Sequence, residues 1–91
     1  MKYRIIWSTK FKKDYKSAIK RGLDIERLDN AIRFLSENGS LPAEYNDHPL
    51  TGNYAHYREC HIQPDWLLIY RIVEDKLALT LMRTGSHSDV F

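Results

Sequence analysis

Two histidines and an aspartate, His61, Asp65 and His87, are of the types that move protons, and Arg83 adds a cation near them in the sequence. Cleavage of an RNA phosphodiester by its own 2′-hydroxyl needs a base for the hydroxyl proton, an acid for the leaving 5′-oxygen and positive charge on the phosphate. Imidazole titrates near pH 6.5, so it serves either proton role at neutral pH. A carboxylate such as Asp65 either orients an imidazole and favours its charged form, or acts as the base itself. Arg83 offers a planar fork to a phosphate, or else a salt bridge to an acid at a sheet rim. His48, in Asp47-His48-Pro49-Leu50, reads equally as loop structure or as part of a site, and His56 reads as surface. Trp66 and Phe91 offer rings on which a nucleobase stacks, a contact worth roughly 1–3 kcal/mol. The plainer roles are capping of a sheet end for Trp66 and a frayed terminus for Phe91.

These residues are useful together only if the fold gathers them. Tyr3 to Trp7 reads as a first strand, with Ser8 or Thr9 as N-cap of a helix that carries Phe11, Tyr15, Ala18 and Ile19 inward and stops at Gly22. Asp24 starts a second helix with Ile25, Leu28, Ile32 and Leu35 as its apolar stripe, ended by Asn38-Gly39. Residues 40 to 54 form a loop broken by Pro42, Pro49 and Gly52. Tyr57–Ile62, Trp66–Val73 and Leu77–Arg83 then form an antiparallel meander, followed by a tail from Thr84 too polar for a strand. The fold class is α+β, in the order β-α-α-β-β-β, with two helices on one face of a small antiparallel sheet and the other face open. A three-residue loop pairs Val73 with Leu77 and Ile69 with Leu81, so Leu77, Leu79 and Leu81 share the core face with Ile69. The meander brings His61, Asp65, Trp66, Arg83 and the tail with His87 to one rim. Alternation sends His61 and Glu59 to the uncovered face and Cys60 and Ile62 to the other, unless a bulge at Pro64 shifts the register.

The chain has 91 residues, 43% hydrophobic and 29% charged, which is enough for one domain with a single core. A net charge of +2 neither requires nor rules out a nucleic-acid partner. Its distribution says more: Lys10, Lys12, Lys13, Lys16, Lys20 and Arg21 face only Asp14 in the first helix, which suits contact with a phosphate backbone as well as a merely solvated face. Cys60, the single cysteine, excludes an internal disulfide and an all-cysteine zinc site, and reads as a small buried hydrophobe. The spacing of His48, His61, Asp65 and His87 forms no compact metal-ligand motif, so no metal or cofactor is expected. The start lacks the apolar run of a signal peptide and no segment is long enough to span a membrane, so a cytoplasmic location is expected.

Three segments, Tyr45-Asn46-Asp47-His48-Pro49-Leu50-Thr51-Gly52, Tyr57 to Tyr70 with its His61-x-x-Pro64-Asp65-Trp66, and Arg83-Thr84-Gly85-Ser86-His87 through Phe91, closely resemble the YafQ branch of the RelE/ParE toxin superfamily. The first 40 residues fit by pattern and by the lysine-rich helix. The resemblance implies a type II toxin–antitoxin toxin that cleaves mRNA in the ribosomal A site and is inhibited by a cognate antitoxin, with operator DNA met only through the antitoxin complex. It implies proton-transfer roles for His48, His61, Asp65 and His87, and substrate-holding roles for Trp66 and Phe91. RelE proper relies on basic residues and a tyrosine instead. The rival readings are a non-catalytic toxin of the same fold that inhibits DNA gyrase, and an inactive toxin kept for antitoxin binding and autoregulation.

Overall fold

The computed structural model describes residues 2–91. Ser8 separates the first two elements, because its hydroxyl accepts the Phe11 amide N–H at 3.0 Å and so caps the helix that follows strand β1 (Arg4–Trp7). Helix α1 (Thr9–Lys20) turns Phe11 and Ala18 into the core, with Tyr15 partly buried beside them. Ile19, expected inward, is exposed. Helix α2 (Ile25–Asn38) buries Leu28, Ala31, Ile32 and Leu35, and each fully buried leucine contributes roughly 1.5–3 kcal/mol. It stops at Gly39, whose φ of +75° and close approach to the Tyr3 ring, 2.9 Å from where a Cβ would stand, both require glycine.

The expected loop holds a two-residue strand, β2 (His48–Pro49), between single 3₁₀ turns at Ala43–Tyr45 and Gly52–Tyr54. The meander follows as β3 (Arg58–Gln63), β4 (Trp66–Val73) and β5 (Ala78–Gly85), and the chain closes with a short helix, α3 (His87–Val90). The sheet order is β1-β5-β4-β3-β2. The meander is antiparallel as expected, and β1 joins its edge parallel to β5, which makes the five-stranded sheet mixed.

Two irregularities change the expected register. The β4–β5 connection is four residues long rather than three: Glu74–Lys76 form a 3₁₀ turn that closes with Leu77 left-handed, so Val73 pairs with Ala78 and Leu77 is exposed. A bulge at Met82 then lets Tyr70 pair with Leu81 while Ile69 pairs with Arg83. Leu79 and Leu81 therefore share the helix-side core with Leu68 and Tyr70, and Ile69 lies on the other face. That face is not wholly open. Leu67, Ile69 and Val90 form a second, smaller core, covered by Leu50, Tyr54, Tyr57 and Met82. No helix among the described residues is long and apolar enough to cross a membrane.

Candidate active site

Strand alternation determines the centre of the site. Cys60 and Ile62 enter the helix-side core, so Glu59 and His61 project from the opposite face. A register shift does occur near Pro64, but it falls between His61 and Gln63, so His61 keeps its place opposite Leu67. In the β2–β3 pair His48 lies opposite Glu59. The Glu59 carboxylate, in a residue only 4% exposed, then becomes the hub: His61 Nε2 lies 3.3 Å from its Oε1, His48 Nε2 3.8 Å from its Oε2 and His87 Nε2 3.9 Å from its Oε1. Sequence reasoning missed Glu59 as a site residue. The available signal was its parity with His61, two residues on.

The three rings are oriented from their other nitrogens. His48 Nδ1 donates to the Asn46 carbonyl at 2.9 Å, and His61 Nδ1 faces the Pro64 carbonyl at 3.3 Å. His87 Nδ1 donates to Asp65 Oδ1 at 2.9 Å, and that oxygen also accepts the His87 backbone N–H at 3.2 Å. These two bonds hold the Asp65 carboxyl below its ordinary range. Each ring thus has an oxygen facing both of its nitrogens, one that fixes its orientation and one on the shared carboxylate. Ring centroids are 6.3 Å apart for His48 and His61, 6.0 Å for His61 and His87, and 6.3 Å for His87 and Phe91, a row of four rings along the rim.

Two clamps fix the segments that carry His87 and His48. Helix α3 starts with a capping box: Ser86 Oγ accepts the Asp89 N–H and Asp89 Oδ2 accepts the Ser86 N–H. Asp89 also receives Arg21 from the end of α1 at 2.8 Å, and these contacts, Arg21 foremost, hold its carboxyl far below the usual range. The chain can fold back this tightly because Gly85 lacks a Cβ, which would stand 2.9 Å from that of Asp89. Beside His48, Asp47 accepts Arg58 Nε at 2.6 Å and the Tyr70 hydroxyl. Burial and then the Asp47 bond push the Tyr70 hydroxyl pKa up, so it stays a donor at neutral pH.

The remaining sequence-based expectations divide. Phe91 is docked by its edge contact with Tyr54 at 5.6 Å, yet it is 61% exposed and keeps surface free for a ligand. Trp66, expected to hold substrate or to cap the sheet end, is 3% exposed, lies in the helix-side core, and its indole N–H donates to Thr84 Oγ1 at 2.9 Å. Arg83 makes the expected salt bridge to an acid: Asp14 accepts both its Nε, at 2.6 Å, and its Nη2, which also reaches the Asp89 carbonyl. Asp14 accepts the Thr84 N–H as well, which satisfies the β5 edge beyond the end of β1. Lys10, Lys12, Lys13, Lys16 and Lys20 are exposed along α1, whose far end meets α3 through Arg21 and Asp89. Cys60 is buried as expected, and burial raises its thiol pKa beyond reactivity at neutral pH. Among the described residues no group of three or more His, Cys, Asp and Glu has the geometry to hold a metal ion.

A rim of three imidazoles, a buried carboxylate and a second carboxylate orienting one ring is equipped for paired proton transfer. Residues 3–91 match a family model described as the bacterial toxin of type II toxin–antitoxin systems, YafQ. The mRNA interferase toxin YafQ of Escherichia coli is 44% identical over 88 residues, which cover 96% of this chain and 94% of that protein. The toxin in the crystal structure of the E. coli DinJ–YafQ toxin–antitoxin complex superimposes with a TM-score of 0.90 at 39% identity, covering 100% of this chain and 99% of that one. A metal-bound toxin from Helicobacter pylori gives a TM-score of 0.90 at 42% identity, covering 98% and 99%. With the fold, the rim and near-complete coverage in agreement, the chain belongs to the YafQ family of type II toxin–antitoxin toxins.

Proposed function

We propose that this toxin is an endoribonuclease that cuts mRNA in the ribosomal A site by metal-independent acid–base catalysis, and that a cognate antitoxin inhibits it. The observation that carries the reading is the convergence of His48, His61 and His87 on Glu59, with Asp65 orienting His87. The 2′-hydroxyl gives its proton to one imidazole as its oxygen attacks phosphorus. The bond to the 5′-oxygen breaks, and that oxygen takes a proton from a second, charged imidazole. The products are a 2′,3′-cyclic phosphate and a 5′-hydroxyl. Rings 6.0 Å apart at His61 and His87 suit this bracketing, since attacking and leaving oxygens lie on opposite sides of phosphorus. Phe91 would stack a base and the α1 lysines would hold the backbone. The E. coli relative is named an mRNA interferase and is crystallised with DinJ, which supports both the activity and an antitoxin partner.

The test is replacement of His61 or His87 by glutamine. Each should slow cleavage by roughly 10²–10⁴-fold in a folded protein. Undiminished rates would remove both from the chemistry. Because a Helicobacter relative is metal-bound, treatment of the toxin with EDTA, followed by removal of the chelator before ribosomes are added, is a necessary arm: cleavage should be unchanged, and loss restored by reloading the toxin with metal would overturn the metal-independent mechanism.

A further inference from the structure

Two adjoining cavities, of about 320 and 370 Å³, open on the flank of His61 between the start of α2 and the Ala43–Tyr45 turn. They share Arg27, Glu44, His61 and Ile62, with Tyr45, Asn46 and Pro64 among the other residues of their walls. This groove is continuous with the histidine row in a specific way. Asn46 and Pro64, which line it, are the residues whose carbonyls face Nδ1 of His48 and of His61. A ligand in the groove therefore lies beside the two residues whose carbonyls aim two of the three imidazoles.

The lining is polar and available. Arg27 is more than half exposed, and its nearest acid, the equally exposed Asp24, is 3.6 Å away at the outer limit of an ion pair. Among the described residues the side chains of Glu44, Tyr45 and Asn46 make no hydrogen bond, while the Tyr45 ring packs on the core and is held in place. A guanidinium binds a phosphate, and a carboxylate accepts from an exocyclic base amine. Each cavity is also within the size range of small-ligand sites.

We propose that this groove is a subsite for the nucleotide next to the scissile phosphodiester, with Arg27 on its phosphate and Glu44 selecting a base that presents an amino group. The proposal rests on the ribonuclease reading above and adds to it a determinant of sequence preference outside the histidine row.

The test compares wild type, Arg27→Ala and Glu44→Gln by 5′-end mapping of cleaved transcripts on programmed ribosomes, with binding of a single-stranded RNA oligonucleotide measured across salt concentrations. Arg27→Ala should slow cleavage about tenfold at every site, as expected for one charge-assisted contact. It should also flatten the salt dependence of binding by about 0.7, the increment for one phosphate on a single strand. Glu44→Gln should keep the overall rate and redistribute the bases found beside the cut. If wild type cleaves and both variants match it in rate, salt slope and base distribution, the subsite is overturned while the nuclease stands. If wild type neither cuts nor binds RNA, both readings fall. If Arg27→Ala weakens antitoxin binding and leaves cleavage intact, the groove belongs to the antitoxin and the nucleotide subsite is wrong.

Discussion

Glu59 Oε1 stands 3.3 Å from His61 Nε2 and 3.9 Å from His87 Nε2, so one buried carboxylate joins two rings from opposite ends of the meander. Glu59→Gln keeps the volume and removes the negative charge that faces both rings. Cleavage should fall roughly 10–10²-fold, short of the loss of a histidine itself, because the rings remain but lose the carboxylate that holds them to one side of the rim. Single-turnover rates alongside a thermal melt check this. A folded variant with the wild-type rate would mean that Glu59 is only a structural group.

Tyr70 donates to Asp47 from β4, and Arg58 approaches the same carboxylate from β3, so the segment leading into His48 is held from two strands. Tyr70→Phe should cost about 1 kcal/mol in urea denaturation for one lost hydrogen bond. It should also reduce kcat/KM several-fold as His48 loosens. Loss of stability with unaltered kcat/KM and unaltered His48 imidazole NMR signals would separate the clamp from catalysis.

Trp66 and Phe91 should behave oppositely. Trp66→Ala removes a core ring and should destabilise the fold by roughly 3–5 kcal/mol, with activity lost through unfolding. Phe91→Ala should leave the melting temperature unchanged and weaken RNA binding by roughly 1–3 kcal/mol. A stable Trp66→Ala protein with impaired RNA binding would place the indole in the substrate site.

Asp89 and Asp65 both have pKa values lowered by folding, through Arg21 and Ser86 for the first and His87 for the second. For a carboxylate with a lowered folded value, the stabilisation is complete above the unfolded value near 3.9 and disappears as pH falls through the folded one. Docking of α3 should therefore weaken below about pH 4. Amide exchange of Val90 and Phe91 across that range should accelerate, and Asp89→Asn should flatten the dependence. Exchange that is insensitive to pH once its intrinsic chemistry is removed would contradict the clamp.

Much of this was legible from local signals. Ser8 and Gly39 mark helix ends because their chemistry fits no other backbone state as well, and alternation about Cys60 set the facing of Glu59 and His61. The convergence of His61, Asp65 and His87 followed from the meander alone. What was not legible depends on tertiary contact. The Met82 bulge and the left-handed Leu77 moved the β5 register and took Ile69 out of the main core. Asp14 claimed Arg83 from a helix distant in sequence, and Thr84 drew the Trp66 indole inward. The carboxylate of Glu59 became a hub only once β2 had paired with β3, and a two-residue strand leaves almost no periodicity to read.

The most direct test of the account is end-group analysis of RNA cut on programmed ribosomes by toxin that has been stripped with EDTA and then freed of the chelator. Three imidazoles working by proton transfer predict 2′,3′-cyclic phosphate and 5′-hydroxyl ends at an undiminished rate. Ends bearing a 5′-phosphate and a 3′-hydroxyl, or a stripped toxin that stays inactive on intact ribosomes until it is reloaded with metal, would contradict it.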